Sequence, residues 1–200
     1  MQFVVKYQVV FSSTAQKLDQ PSAVGVIPTD TIYGLAARAA DHRAVARLYA
    51  FKQREAKPGT LIAASIDQLV ELGIKRRYLT AVAQYWPNPL SVIIPCGPEL
   101  AYLHLGKQSL AIRIPNKPEL RELLQKTGPL LTSSANHPGE PPANTVAEAE
   151  AYFGEAVDFY EDGGNLANYK PSTIIRIVDD AVEVLREGAV TINEAGSIQT

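Results

Sequence analysis

The chain predicts an α/β fold, and three observations lead there. Short apolar runs bounded by Pro, Gly or polar turns alternate with segments whose apolar residues recur every three or four positions. At 200 residues, 46% of them hydrophobic and 20% charged, a single domain spanning 1–200 can bury enough surface to fold without a staple. A lone cysteine, Cys96, makes an intramolecular disulfide impossible.

MQFVVKYQVVF (1–11) has apolar character, but Lys6 and Gln8 interrupt it and no small-residue cleavage site follows, so it reads as a first strand rather than a signal peptide. AVGVIP (23–28) is a buried strand running into the turn Thr29-Asp30-Thr31. Asp41 caps a helix carrying Val45, Leu48 and Tyr49. TLIAAS (60–65) is a short strand; Ser65 with Gln68 then forms a capping box, and Gly73 stops that helix. Leu79, Val82, Ala83 and Trp86 follow helical spacing until Pro87 and Pro89, which makes Trp86 a core or rim anchor rather than a substrate platform. LSVIIPC (90–96) is a strand. In SLAIRIP (109–115), Leu110, Ile112 and Ile114 share one face, and Ser109, Ala111 and Arg113 share the other. Pro118 opens a helix closed near Gly128, PLLTSS is a strand, and Thr145 with Glu148 caps the helix that runs to Phe153 and Gly154. Strands near 157–160, 172–178 and 182–186 complete the series.

Several function classes are excluded. A balance of 19 Lys+Arg against 21 Asp+Glu, net −2, argues against coating nucleic acid by bulk charge. No run approaches the ~18 apolar residues of a membrane helix, which makes the cytoplasm the expected compartment. Neither G-x-x-x-x-G-K-[ST] nor G-x-G-x-x-G occurs. His42, His104 and His137 are isolated and do not make a zinc set, and Cys96 has no neighbouring base to activate it.

Four polar groupings remain, each where an apolar strand ends. Pro28-Thr29-Asp30-Thr31-Ile32-Tyr33-Gly34-Leu35 places hydroxyls and a carboxylate on a turn beside a glycine, suited to a small ligand or to a capped turn. Lys52-Gln53-Arg54 with Lys57 can clamp a polyphosphate or complement a helix end. Ser109 and Arg113 share a strand face, where the guanidinium requires an anionic partner, internal or bound. Thr132-Ser133-Ser134-Ala135-Asn136 offers small donors fit for phosphate or ribose oxygens, or for closing a turn.

In order, PTDTIYGL, K-x-R, SLAIRIP and SSAN, continued by Pro171-Ser172-Thr173-Ile174-Ile175 and Leu185-Arg186-Glu187-Gly188, resemble the YrdC-like family of L-threonylcarbamoyladenylate synthases. The likeness runs from about residue 20 to 190. It implies a twisted mixed β-sheet flanked by helices around a concave cavity. It also implies an enzyme that joins ATP, bicarbonate and L-threonine into threonylcarbamoyl-AMP and releases pyrophosphate, the first step of threonylcarbamoyl modification of tRNA adenosine. By that resemblance Thr31, Arg113, Thr132 and Ser172 contact threonine, with Arg113 on its carboxylate. Lys52, Arg54, Ser109, Ser134, Asn136 and Arg186 contact ATP, with Lys52 and Arg54 acting catalytically. Magnesium is expected on the phosphates rather than in a resident carboxylate cage.

Two stretches depart from the family pattern: Glu55-Ala56-Lys57-Pro58 is one residue short before the lysine, and His137-Pro138-Gly139 lacks the usual serine. Lys57 and the 137–139 loop are therefore left unassigned. The chain stops at Thr200, which reads as the family's short form, expected to pass its product to a separate transferase complex acting on tRNA. The competing readings are an RNA-binding module, against which net charge and 8% aromatic content both count, and a related carbamoyl or adenylyl transfer to another acceptor.

Overall fold

A computed structural model describes residues 11, 13–52 and 57–199. Its centre is a nine-stranded mixed sheet. The strands are β1 (Gly25–Pro28), β2 (Tyr33–Arg38), β3 (Thr60–Ile62), β4 (Leu90–Pro95), β5 (Ser109–Arg113), β6 (Leu130–Ser134), β7 (Phe159–Tyr160), β8 (Thr173–Val178) and β9 (Ala181–Arg186). They lie in the order β7-β1-β2-β6-β3-β5-β4-β8-β9. The pairs β1·β7, β3·β5 and β4·β8 are parallel and the rest antiparallel. A separate hairpin joins β10 (Thr191–Ile192) to β11 (Ile198–Gln199).

Period-two alternation divides the apolar residues between the two sheet faces. On one face Val26, Leu35, Leu61, Val92, Ile112 and Leu131 pack under the helix α2 (His42–Phe51) and the short helices α3 (Ile66–Glu71), α4 (Arg76–Ala81) and α5 (Ala101–His104). On the other, Ile27, Ala36, Ile62 and Leu130 pack against Leu18 of α1 (Thr14–Leu18) and Leu120, Leu123 and Leu124 of α6 (Pro118–Thr127). A last helix, α7 (Val146–Phe153), follows β6. With only α1 and α6 packed on it, part of this second face is left uncovered. Among the described residues no helix is long and apolar enough to cross a membrane.

Most predicted elements are present, and the differences have local causes. The 79–86 helix breaks: α4 ends at Ala81, Val82 leaves helical geometry at φ −117°, and Ala83–Tyr85 form a 3₁₀ turn. Pro87 forces Trp86 into extended backbone, so the helical spacing cannot run through it. Trp86 is nonetheless a core residue, its indole N–H donating to the Leu90 carbonyl at 3.1 Å. The strands predicted over 60–65 and 109–115 end at Ile62 and Arg113. Both capping boxes form at Ser65 and Thr145, but Gln68 and Glu148 accept from Ala64 N and Asn144 N, one residue earlier than the motif specifies. Strand β2 and helices α1 and α5 were not predicted. The strand expected over 1–11 lies, apart from Phe11, outside the described residues. Cys96 is buried, and desolvation pushes its thiol up to about 11, which keeps it protonated.

The loop after β9 is fixed by close backbone approach. Ala189 N donates to the Pro171 carbonyl at 2.9 Å, and a Cβ on Gly188 would stand 2.2 Å from that oxygen and 2.7 Å from Thr173 N. Since backbone cannot rotate aside, Gly188→Ala should lower stability by ~1–3 kcal/mol. Urea unfolding measures this; an unchanged midpoint would mean the loop retreats at no cost.

Candidate active site

Where α1 and α6 leave the second face bare, the sheet carries small residues: Thr60, Ala111, Ser109, Thr132 and Ser134. Thr60 stands beside both Ala111 and Thr132 in the strand register, and Ile93 beside Ala111. Leucines or isoleucines there would fill the space; the small side chains leave a cavity of about 590 Å³. Its apolar wall comes from Ile93 and Ile174 and its rim from the Thr29–Gly34 turn, Pro58-Gly59 and Pro171-Ser172. No carboxylate is among its described lining residues, whereas Lys107, Arg113, Arg176 and Arg186 are.

The cations differ in depth. Lys107, Arg176 and Arg186 are exposed, and Arg176 pairs with Glu183 at 2.6 Å. Arg113, at the end of β5, has only 4% of its side chain exposed. It lies 3.0 Å from the carboxylate of Asp30, itself 3% exposed. The Arg113 Nη1 group donates to Ser91 Oγ at 3.4 Å, and its Nε is buried with no hydrogen-bond partner. Ser91 Oγ lies 3.0 Å from Ser172 Oγ, and Arg186 donates to the Ser172 carbonyl at 2.7 and 3.1 Å and to Ser172 Oγ at 3.0 Å. A continuous polar chain, Asp30–Arg113–Ser91–Ser172–Arg186, thus joins the deepest cation to one at the mouth.

The hydroxyls have defined polarity. Thr29 Oγ1 donates to the Ile32 carbonyl at 2.7 Å and accepts from Thr31 N, so its 2.9 Å contact with Thr31 Oγ1 takes the Thr31 proton. Thr132 Oγ1 donates to the Thr60 carbonyl at 3.0 Å. Both hydroxyls therefore keep lone pairs for an N–H or O–H of a ligand. Tyr33, fully buried, donates to the Gly164 carbonyl and accepts from Gly163 N; burial raises its pKa to about 12, so it ties the 163–164 loop to β2 as a neutral phenol.

Of the residues expected at a site, Thr31, Ser109, Arg113, Thr132, Ser134, Ser172 and Arg186 line this one cavity. Lys52 and Asn136 do not line it; they stand behind its wall. Lys52 is 4% exposed, and its ammonium donates to the Ser134 carbonyl at 2.9 Å, the Asn136 carbonyl at 2.5 Å and Asn136 Oδ1 at 2.8 Å. The Asn136 amide in turn donates to the carbonyls of His137 and Glu140. Arg54 lies outside the described residues. Sequence reasoning overlooked Ser91, Lys107 and Arg176. A hydroxyl inside the apolar run LSVIIPC was the one available signal for Ser91; Arg176 shares a face with Ile174, but only the β4·β8 register shows it.

Fold and site together define an α/β ligand-binding domain built to hold an anion-bearing molecule against a sheet face. The family described as telomere recombination, Sua5/YciO/YrdC, matches residues 20–188, and the chain belongs to it. A threonylcarbamoyl-AMP synthase of Chromohalobacter salexigens is 40% identical over 153 residues, covering 74% of this chain and 82% of that protein. Sua5 of P. abyssi, solved in complex with L-threonine, superposes with a TM-score of 0.77 at 27% identity, covering 88% of this chain. The chain spans about half of that protein, 53% of its length. YciO of E. coli gives a TM-score of 0.73 at 25% identity, covering 87% of this chain and 88% of that one.

The three bonds from the Lys52 ammonium fix the Ser134–Asn136 loop, so Lys52→Met should leave buried carbonyls unsatisfied and cost ~1–3 kcal/mol of stability. Thermal unfolding of the variant reads this. An undiminished melting temperature would show that the loop holds itself.

Proposed function

We propose that the cavity joins L-threonine, bicarbonate and ATP into threonylcarbamoyl-AMP with release of pyrophosphate. The observation that carries this reading is Arg113, a buried cation with an unpartnered Nε at the deep end of a cavity whose mouth carries three more cations. It is supported by the synthases to which the chain is similar and by the threonine complex of a structural neighbour.

The amino acid occupies the deep end. Its carboxylate meets Arg113, for which a planar guanidinium is well shaped. Thr31 and Thr132 present lone pairs to its amine and hydroxyl, and Ser172 closes the far side. The threonine ammonium gives up a proton, and the neutral amine and bicarbonate then form the carbamate with loss of water. A carbamate oxygen then bonds to the α-phosphorus as the bond to the β-phosphate oxygen breaks, and pyrophosphate leaves toward the mouth. Arg186, Ser109 and Ser134 hold the triphosphate there. Lys52 contributes through the Ser134–Asn136 loop that it fixes.

Such a transfer depends on positioning and charge stabilisation rather than on a covalent nucleophile. Magnesium bound to the triphosphate would offset its charge, and Ser109 and Ser134 would face the oxygens that carry it. Among the described residues there is no group of three or more His, Cys, Asp or Glu side chains placed to hold an ion, and the wall of hydroxyls and cations suits phosphate oxygens that already carry one. The labile adenylate is then consumed by a separate transferase complex that modifies tRNA.

Incubating the protein with magnesium, ATP, bicarbonate and threonine should give threonylcarbamoyl-AMP by mass spectrometry, dependent on threonine. Arg113→Ala should lower kcat/KM for threonine by about 10²-fold or more. A folded wild-type protein that forms no adenylate would overturn the function; an unimpaired variant would overturn the role of Arg113.

A further inference from the structure

Behind the deepest cation stands a carboxylate that lines no part of the cavity. Asp30 lies between Thr29 and Thr31, both of which do line it, yet its own side chain is 97% buried, being 3% exposed. Its Oδ2 accepts from Asn116 N at 3.3 Å, which ties the β1–β2 turn to the segment following β5. Its Oδ1 is buried 3.0 Å from Arg113 Nη2, with no hydrogen-bond partner of proper angle, so the contact is charge attraction rather than a directed bond. The other cation nearby, Lys117, extends to the Thr29 carbonyl at 3.4 Å; burial lowers its pKa, and Glu119 first and Asp30 second partly restore it.

We propose that Asp30 is a positioning residue for Arg113: it holds the guanidinium in the orientation that receives the carboxylate of threonine. The inference rests on the assignment of Arg113 to that carboxylate. Paired recognition of a carboxylate by a guanidinium depends on the plane of the fork, and a displacement of well under an ångström degrades it. Two contacts set that plane, Asp30 at Nη2 and Ser91 at Nη1, and the Ser91 bond is long at 3.4 Å. The ion pair therefore holds the Nη2 end of the fork in place, and the Ser91 bond sets its turn about that point. Without the charge on Asp30, a buried guanidinium turns toward whatever acceptor is nearest, and the carboxylate finds it misplaced.

The test is steady-state kinetics on Asp30→Asn, with circular dichroism to establish folding. The threonine KM should rise about tenfold or more, the scale on which one charge-assisted contact is felt, while the ATP KM stays within about twofold. In an Arg113→Ala background the same substitution should leave the threonine KM where Arg113→Ala alone put it, because Asp30 acts only through the guanidinium. Should Asp30→Asn not fold, Asp30→Glu keeps the charge and shifts it by one methylene; the threonine KM should then rise about threefold, with ATP again unaffected. A folded variant whose threonine KM is unchanged, or whose threonine and ATP KM values rise together, overturns the positioning role. If Arg113→Ala itself leaves the threonine KM unchanged, the assignment beneath the proposal fails instead.

Discussion

A buried ion pair governs this structure: Arg113 and Asp30, 3.0 Å apart with almost no solvent on either. Isolated, each charge would be costly to bury; together they are tolerated, and the pair stabilises the fold little beyond what hydrophobic residues of the same volume would. Its value is therefore positional. It brings the β1–β2 turn onto the end of β5, which stands four places from β1 and three from β2 in the sheet order, and sets a cation at the bottom of the cavity.

The sheet separates packing from chemistry by its alternation. Residues facing α2 are large and apolar, and they fill the space beneath the helices. On the opposite face the same strands carry Ser, Thr and Ala where α1 and α6 no longer reach. Substrate space thus follows from a choice of small side chains at alternate positions, with no loop insertion needed. Lys52 shows the same economy from the other direction. A cation that reads as a phosphate ligand also braces the interior, donating to three oxygens of a loop whose outer surface is the cavity wall.

Most of the sheet was legible in the sequence because its strands are short apolar runs closed by Pro, Gly or hydroxyl residues. SLAIRIP showed even its two faces: Leu110 and Ile112 are in the core, while Ser109, Ala111 and Arg113 line the cavity. Strand β2 was missed because YGLAAR lacks alternation; buried along nearly its whole length, it has no polar face to mark it. The partnership of Arg113 with Asp30 was not legible. Sequence left open whether its anion was internal or bound, since 83 residues separate the two and only the fold brings them together. The side of the wall on which Lys52 lies was hidden for the same reason: a cation at a helix end looks alike whether it faces solvent, ligand or carbonyls.

The most direct measurement is a crystal structure of the protein with L-threonine and an ATP analogue that cannot be cleaved at the α,β bridge. The account predicts the threonine carboxylate within about 3 Å of the Arg113 guanidinium, the Asp30 contact intact, and the triphosphate nearer Arg186 and Lys107. A nucleotide phosphate on Arg113, or threonine bound away from it, would contradict the account.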